Sequence, residues 1–399
     1  MAPPLLGLRV LAVEQYGAGP FGTQHLADLG AEVVKIENRR LGGDYARTLG
    51  PYFTEGAEGD EGSLFFQSVN RNKKSLTLDL GDGEGRGIFE RLVATADAVA
   101  NNLRGDVPEK LGLTYDALKP ANPAIVAAHC SAYGRDGERR DWPGYDFLMQ
   151  AEAGYFHMCG EPDTPPARMG LSVVDFMAGT YMALGLLSGV LAARATGVGR
   201  DIDVNLYDTA LYNLSYLSAW CLNADYDPAR VARSAHASLV PCQLYRTADG
   251  WIYLMCNKET FWPPLCDAIG RSDLAEDPRY ASFRERLARR DELTAILDAA
   301  LSKASTATWL GRLQGKIPIA PVRTPREALE DPDLHHSGKI EPVHLKSGEA
   351  FDLLRSPIRS GGETAARACP PMGQDTNAIL MSVGYSKADI EAFHEKGLI

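Results

Sequence analysis

Residues 8–37 read LRVLAVEQYGAGPFGTQHLADLGAEVVKIE. The mostly apolar run 8–14 stops at the turn Gly17-Ala-Gly-Pro-Phe-Gly22, a helical pattern occupies 23–29, and 32–37 reads as a second strand. A strand, a glycine-rich turn, a helix and another strand make a βαβ unit. Working outward, 75–80 reads as a strand, 83–95 as a helix, 98–101 as a strand, and 124–129 as a strand ended by the turn signal over 131–137. Residues 201–206 alternate once more. Strands and helices in this alternation predict a parallel sheet covered by helices on both faces.

The pattern changes after Tyr207. A helix-like stretch runs through Leu222, then a polar, proline-interrupted connection covers 224–228. Two strand-like runs, 242–245 and 251–256, are joined by Thr247-Ala-Asp-Gly250, and helical patterns occupy 259–269, 291–302 and 307–314. The expected fold class is therefore α/β: a Rossmann-like parallel-sheet large domain over 1–224, a smaller α+β domain inserted over about 225–325, and a return to the large domain over 326–399. In that last segment a helix over 375–382 has the sheet to cover.

Composition narrows the function. A chain of 399 residues with 45% hydrophobic and 23% charged residues is globular rather than disordered or fibrous. Its net charge of -11 opposes general binding to nucleic acid or to anionic membranes, so neither is an expected partner. Seven cysteines without a CxxC pair read as reduced thiols of a cytoplasmic protein. The N-terminus carries no basic segment leading into a long apolar one, so no secretion signal is expected. The uncharged stretch 176–193 is rich in Gly, Ala, Ser and Thr, which favours a closely packed core helix over a membrane span.

Two motifs carry chemistry. Gly17, Gly19 and Gly22 form a literal GxGxxG, and Glu37 ends the next strand at the spacing of a ribose-binding carboxylate. Alone, this suggests an NAD-dependent oxidoreductase; Pro20 argues against it by removing an N–H from the turn. A tight strand–helix turn with no ligand is the plainer alternative. Asp175 is the second candidate. It follows the strand-like 171–174 in the frame Ser172-Val-Val-Asp175, which predicts a capping box with Ser172 as N-cap. The helix dipole would keep such a carboxylate ionised in a dry place, making it a competent nucleophile towards an activated acyl group. On local sequence alone, a capping aspartate without chemistry is the favoured reading.

The chain resembles the family III CoA-transferases (the CaiB/BaiF family, with formyl-CoA and carnitine CoA-transferases). The resemblance rests on Gly7-Leu-Arg-Val-Leu, Ala18-Gly-Pro, Leu29-Gly-Ala-Glu-Val-Val-Lys-Ile-Glu37, Gly43-Asp44 with Arg47, and Asn70-Arg-Asn-Lys-Lys-Ser-Leu-Thr-Leu-Asp79. Gly134-Arg-Asp-Gly137, Asp175 with Ala178-Gly179, Thr196-Gly-Val-Gly-Arg200, Met372-Gly-Gln-Asp-Thr and Gly384-Tyr-Ser continue it in order.

That resemblance implies an enzyme that moves CoA from an acyl-CoA thioester to a small organic acid, with a dicarboxylate as the expected acceptor, through an aspartyl-CoA thioester on Asp175, with Asp146 as a supporting carboxylate. CoA and acyl-CoA are substrates; no tightly bound cofactor or metal is implied. By the same resemblance Tyr16, Gly17 and Ala18 line pantetheine and diphosphate, Leu78, Asp79, Asn102, Leu103 and Arg104 form the nucleotide end, and Lys110 is a basic ligand. Asn38 stands where the family has a basic residue, so Arg39 or Arg40 supplies that charge. The frame Gly144-Tyr145-Asp146 has tyrosine where the related α-methylacyl-CoA racemases have their catalytic histidine, and tyrosine titrates too high to share a proton near neutrality. Transfer is therefore expected over racemisation, with Tyr145 near the ligand. The stretch 233–241 lacks the glycine-rich loop of formyl-CoA transferase, which disfavours formyl-CoA:oxalate activity; His236 within it reads as structural. Arg47, Arg233, Trp220, Trp251 and Trp262 are candidates for an acceptor pocket. An interlocked homodimer is implied by the resemblance alone.

Overall fold

In the computed structural model residues 1–54, 60–362 and 365–399 are described. One compact unit comprises Met1–Ala153, Met169–Ala224 and His335–Ile399, and the other Gly154–Arg168 with Asp225–Leu334.

The first unit is built on six strands: β1 (Arg9–Val13), β2 (Glu32–Glu37), β3 (Lys74–Thr77), β4 (Ala98–Asn101), β5 (Val126–Ser131) and β6 (Arg200–Asn205). Their spatial order is β3-β2-β1-β4-β5-β6 and every pairing is parallel. In this order the chain reverses its direction of growth between β1 and β4, which opens a crevice at the carboxyl ends of those strands. Strands β4 and β5 are buried at every residue, as expected for a sheet covered on both sides. Leu11, Val34, Leu76, Val99 and Ala127 belong to one core cluster with Ile88, Phe89 and Leu92 of the helix Gly83–Val93. The helices Thr376–Ser382 and Lys387–Glu395 add Ile379, Leu380 and Phe393 to that cluster, so the C-terminal segment does cover the sheet.

On the other face helix α1 (Ala18–Asp28) lies against the long helix Val173–Thr196. The contact is backbone to backbone: a Cβ on Gly22 would meet Gly179 O at 2.3 Å, and one on Gly179 would meet Ala18 O at the same distance. A Cβ on Gly189 would meet the Val126 side chain at 2.9 Å, so the long helix also seats closely on β5. This explains why the uncharged stretch is rich in small residues. The helix is long and apolar enough to cross a membrane, and here its Val174, Ala178, Met182, Leu186 and Val190 are buried in the first unit.

Several local expectations are corrected. Residues 171–174 form no strand; the helix begins at Val173. Helix α1 starts at Ala18 rather than 23, because a proline in a first turn removes an amide that has no intrahelical acceptor. The helix-like stretch after Tyr207 is two helices, Leu206–Tyr212 and Tyr216–Asn223, broken where Ser215 takes a left-handed φ of 51°. The hairpin β10 (Ile340–His344) and β11 (Ala350–Leu354) lies within the first unit.

The second unit holds a three-stranded antiparallel sheet, β7 (Cys242–Arg246), β8 (Trp251–Met255) and β9 (Ile319–Pro321), with a core of Tyr245, Ile252, Leu254, Trp262, Leu297 and Trp309. Its limits differ from 225–325. It runs to Leu334 and also takes in 154–168, because Arg230 donates to Thr164 O (2.6 Å) and Glu161 accepts from the Arg233 amide (2.9 Å). Arg233 is further occupied by Asp298 at 2.6 Å. His236 Nδ1 accepts the amides of Ser238 and Leu239, each at 3.1 Å, so this ring pins a turn as a neutral acceptor, and burial followed by the charge of Arg290 lowers its pKa.

Candidate active site

The crevice begins with the turn after β1. Tyr16 has a left-handed φ of 67°, and its amide donates to Asp44 Oδ1 at 3.1 Å. Asp44 is in turn paired with Lys35 at 2.8 Å, both side chains fully buried. A charged residue in the middle of the apolar run of β2 is costly to bury without a partner, and Asp44 is that partner. On the other side Gln15 N donates to Asn102 Oδ1 (2.9 Å) and Asn102 Nδ2 returns to Gln15 O (2.7 Å), tying the turn after β1 to the turn after β4. Gly17 is required by closeness: a Cβ there would lie 2.5 Å from Asp175 Oδ2. The first glycine of the motif thus admits a carboxylate, and Gly22 admits a neighbouring helix.

Asp175 sits in the first turn of the long helix and is 6% exposed. The predicted capping box is absent, since Ser172 makes no side-chain cap bond. Asp146, first residue of the helix Asp146–Glu152, takes that role across space: its Oδ2 accepts the amides of Val174 (2.6 Å) and Asp175 (2.9 Å). Gln150 holds the other oxygen of Asp146 and also donates to Leu171 O (2.9 Å). The favourable end of the helix dipole is therefore already occupied by one carboxylate. Burial, then the charge of Asp146, pushes Asp175 up to about 7, the reverse of the expectation that the dipole would keep it ionised. Burial also raises Asp146.

Asp175 lines a cavity of about 190 Å³ together with Tyr16, Gly17, Ala18, Asn102, Leu103, Arg104 and Tyr145. Tyr45, Cys130 and Ser131 complete the wall and carry no recognisable motif of their own, although Tyr45 directly follows Gly43-Asp44. Burial, then Asp175, drives the Cys130 thiol upward, so it stays protonated. A larger cavity of about 550 Å³ adjoins, sharing Gln15, Tyr45 and Leu103 with the first. Its wall includes Leu41, Leu78, Leu80, Leu103 and Leu111, with Asn38, Arg40 and Asp79 among its polar groups. Asn38 and Arg40 both donate to Asp79, at 3.0 and 3.1 Å.

Other candidates lie elsewhere. Arg39 turns to Met372 O (3.2 Å) and does not line either cavity; Arg40 is the arginine at the larger one. Lys110 is exposed and paired with Asp106, which also takes Arg104 at 2.6 and 3.0 Å. Arg47 is buried on Glu37, with Nε to Oε1 at 2.8 Å and NH2 to Oε2 at 2.7 Å, so it is no acceptor-pocket residue. The same pairing, with Ser75 at 2.9 Å, consumes the carboxylate that a dinucleotide ribose would need. Both the dinucleotide and the racemase readings lose their key group: Glu37 is occupied, and Tyr145 stands in place of a histidine.

A doubly wound sheet whose switch-point crevice joins a large apolar cavity to a buried carboxylate defines a protein that holds a long ligand and presents one end of it to a nucleophile. The chain belongs to CoA-transferase family III, whose family model matches residues 5–376. It is 37% identical over 362 residues to the acetyl-CoA:oxalate CoA-transferase of Acetobacter aceti, covering 90% of each chain. It is 32% identical over 358 residues to the succinate–glutarate CoA-transferase of Agrobacterium fabrum, covering 89% of each. A CaiB/BaiF family protein from Brucella suis has the same fold, with a TM-score of 0.81, 30% identity, and coverage of 96% of this chain and 100% of that one. The chain is an enzyme that transfers CoA.

Proposed function

We propose that this enzyme moves CoA from an acyl-CoA thioester to a small dicarboxylic acid, and that Asp175 carries CoA between the two acids. The observation that supports it most is a buried carboxylate with no cation beside it among the described residues, on the wall of a cavity that shares Gln15, Tyr45 and Leu103 with a larger one of about 550 Å³. The relatives named for oxalate and for succinate and glutarate supply the substrate class.

The chemistry runs in two mirrored halves. A carboxylate oxygen of Asp175 attacks the thioester carbonyl, the C–S bond breaks, and CoA leaves as thiolate from a mixed anhydride. The thiolate then attacks Cγ of Asp175, the anhydride C–O bond breaks, and the donor acid departs as carboxylate. The acceptor carboxylate attacks the aspartyl-CoA thioester, CoA leaves again, and its return to the acceptor's acyl carbon frees Asp175. Each bond made is matched by a bond of similar energy broken, so the protein's task is to keep water away from the anhydride and thioester. Burial that makes Asp175 more basic also makes it the stronger nucleophile once ionised. Asp146 is a positioning residue: by holding the first amides of the helix it fixes where the Asp175 side chain emerges. Tyr16, Gly17, Ala18, Leu78, Asp79, Asn102, Leu103, Arg104 and Tyr145 bind CoA in this reading, with Arg40 replacing Arg39.

The test is transfer from succinyl-CoA to glutarate or oxalate, followed by chromatography of the acyl-CoA products. A new acyl-CoA is expected, and none with Asp175→Ala. Failure of every dicarboxylate, or full activity in that variant, would contradict the reading. The enzyme is further proposed to be a cytoplasmic interlocked homodimer, in keeping with the resemblance and with the exposed Leu184 and Leu191 of the long helix. A monomer by light scattering at micromolar concentration would exclude the dimer.

A further inference from the structure

The cavity at Asp175 is unusual in what it offers an incoming acid. Three phenol rings, Tyr16, Tyr45 and Tyr145, line it. Tyr16 stacks on Tyr45 with ring centroids 5.1 Å apart and planes 11° apart, and its other neighbour is Phe65, also at 5.1 Å. The pair is thus a rigid wall. Among the described residues no hydrogen bond engages the three hydroxyls, so they are donors left for a ligand. Burial, followed by nearby groups that include Asp175 and Tyr145, raises the phenols of Tyr16 and Tyr45, which keeps them protonated.

Cations are correspondingly scarce. Among the described residues Arg104 is the one basic side chain on the cavity wall, and its guanidinium is spent on both oxygens of Asp106. Sites that bind a carboxylate in its own right commonly use a free arginine in that position. The groups facing Asp175 are instead Asp146 from the preceding helix, Cys130 from β5, and the phenols. A free carboxylate entering past the exposed Tyr45 and Tyr145 meets the buried Asp175, with the buried Asp146 beside it, and repulsion is strong at that buried end.

We propose that the acceptor acid is recognised by the neutral hydroxyls of Tyr16, Tyr45 and Tyr145, and that it enters only when Asp175 carries no charge. Esterification to CoA removes that charge. The cavity then presents three donors and no opposing carboxylate at the reacting position, so the acid is admitted at the stage where it can react. Above about pH 7, where Asp175 of the free enzyme is ionised, its charge keeps the acid out, which prevents the acceptor from blocking the donor. This rests on the transferase reading above and adds to it an order of events and a mode of acid recognition.

The test is calorimetric titration of glutarate into the wild type and into Asp175→Asn at pH 8 and equal ionic strength. Binding to Asp175→Asn should be at least tenfold tighter; equal or weaker binding overturns the proposal. Adding Tyr45→Phe and Tyr145→Phe to Asp175→Asn should cost fivefold or more in affinity, and unchanged affinity removes the tyrosines from recognition. A second measurement uses the wild type alone, should Asp175→Asn not fold. Glutarate in large excess should not compete with succinyl-CoA in the steady state, and competitive inhibition near its own KM contradicts the gate. The titration needs no turnover. Should Asp175 never acquire CoA while Asp175→Asn still binds glutarate more tightly, the transferase reading fails alone. Should Asp175 acquire CoA while both proteins bind glutarate equally, only the gate fails.

Discussion

Two groups of buried carboxylates, within one sheet's carboxyl edge, have opposite fates. At the ends of β1 and β2 and in the turn after β2, Glu14 meets Lys73 at 2.7 Å, Asp44 meets Lys35 at 2.8 Å, and Glu37 meets Arg47 at 2.7 Å. Burial alone would raise Asp44 and Glu37, but the charge of Lys35 and the hydrogen bonds from Arg47 outweigh it and hold both below the usual range. At the start of the long helix Asp175 and Asp146 have no cation among the described residues, and burial raises both. Compensated charges fix the geometry of the turn that carries Tyr16. The uncompensated pair is left reactive. The difference between scaffold and chemistry here is whether a buried charge has a partner.

That contrast can be broken at either end. Removing the uncompensated nucleophile with Asp175→Ala should lower the transfer rate on the order of 10⁴-fold, read by the succinyl-CoA assay, because no other route through an acyl-enzyme remains. Removing one member of a compensated pair should act on stability instead. Glu37→Ala leaves Arg47 buried with Asp60 at 3.2 Å as its one remaining carboxylate among the described residues, and should cost about 3–5 kcal/mol in denaturant unfolding.

The sign of the pH effect sharpens the comparison. The folded Asp175 binds its proton more tightly than an unfolded aspartate, so between about 4 and 7 the native state holds more protons and stability falls as pH rises. Asp175→Asn removes this penalty. It should unfold at higher temperature than the wild type at pH 8, by up to roughly 1.4 kcal/mol per unit of raised pKa, and the gap should close by about pH 4. Activity has the opposite slope: kcat/KM should drop as pH falls through about 7, because the protonated carboxyl is no nucleophile. The smallest effect is expected for Asp146→Asn, which keeps an acceptor for the helix amides but loses the charge. The acid limb of the pH–rate profile should move down by about one unit, with a loss in kcat of about tenfold or less.

The parallel sheet was legible because its strands are short apolar runs at regular intervals, each followed by a turn signal. Asp175, too, stood out as an acid opening an uncharged helix. What was not legible depends on distant partners. The cap of that helix comes from Asp146, twenty-nine residues upstream, so the local frame at Ser172 misled. The glycine motif was read for a pyrophosphate, whereas Gly22 is set by Gly179 and Gly17 by Asp175. Lys35 interrupts an apolar strand, and that interruption was a signal for a buried pair that local reading passed over. Arg47 offered no sign in its own neighbourhood that Glu37 would consume it.

The central claim is that the carboxylate at position 175 carries CoA as a thioester. The most direct test is to incubate the enzyme with succinyl-CoA and no acceptor, quench with hydroxylamine, digest, and measure the mass of the peptide containing Asp175. A hydroxamate on Asp175, absent when acyl-CoA is omitted, is the expected result. An unmodified Asp175, or a hydroxamate on a different acidic residue, would contradict it.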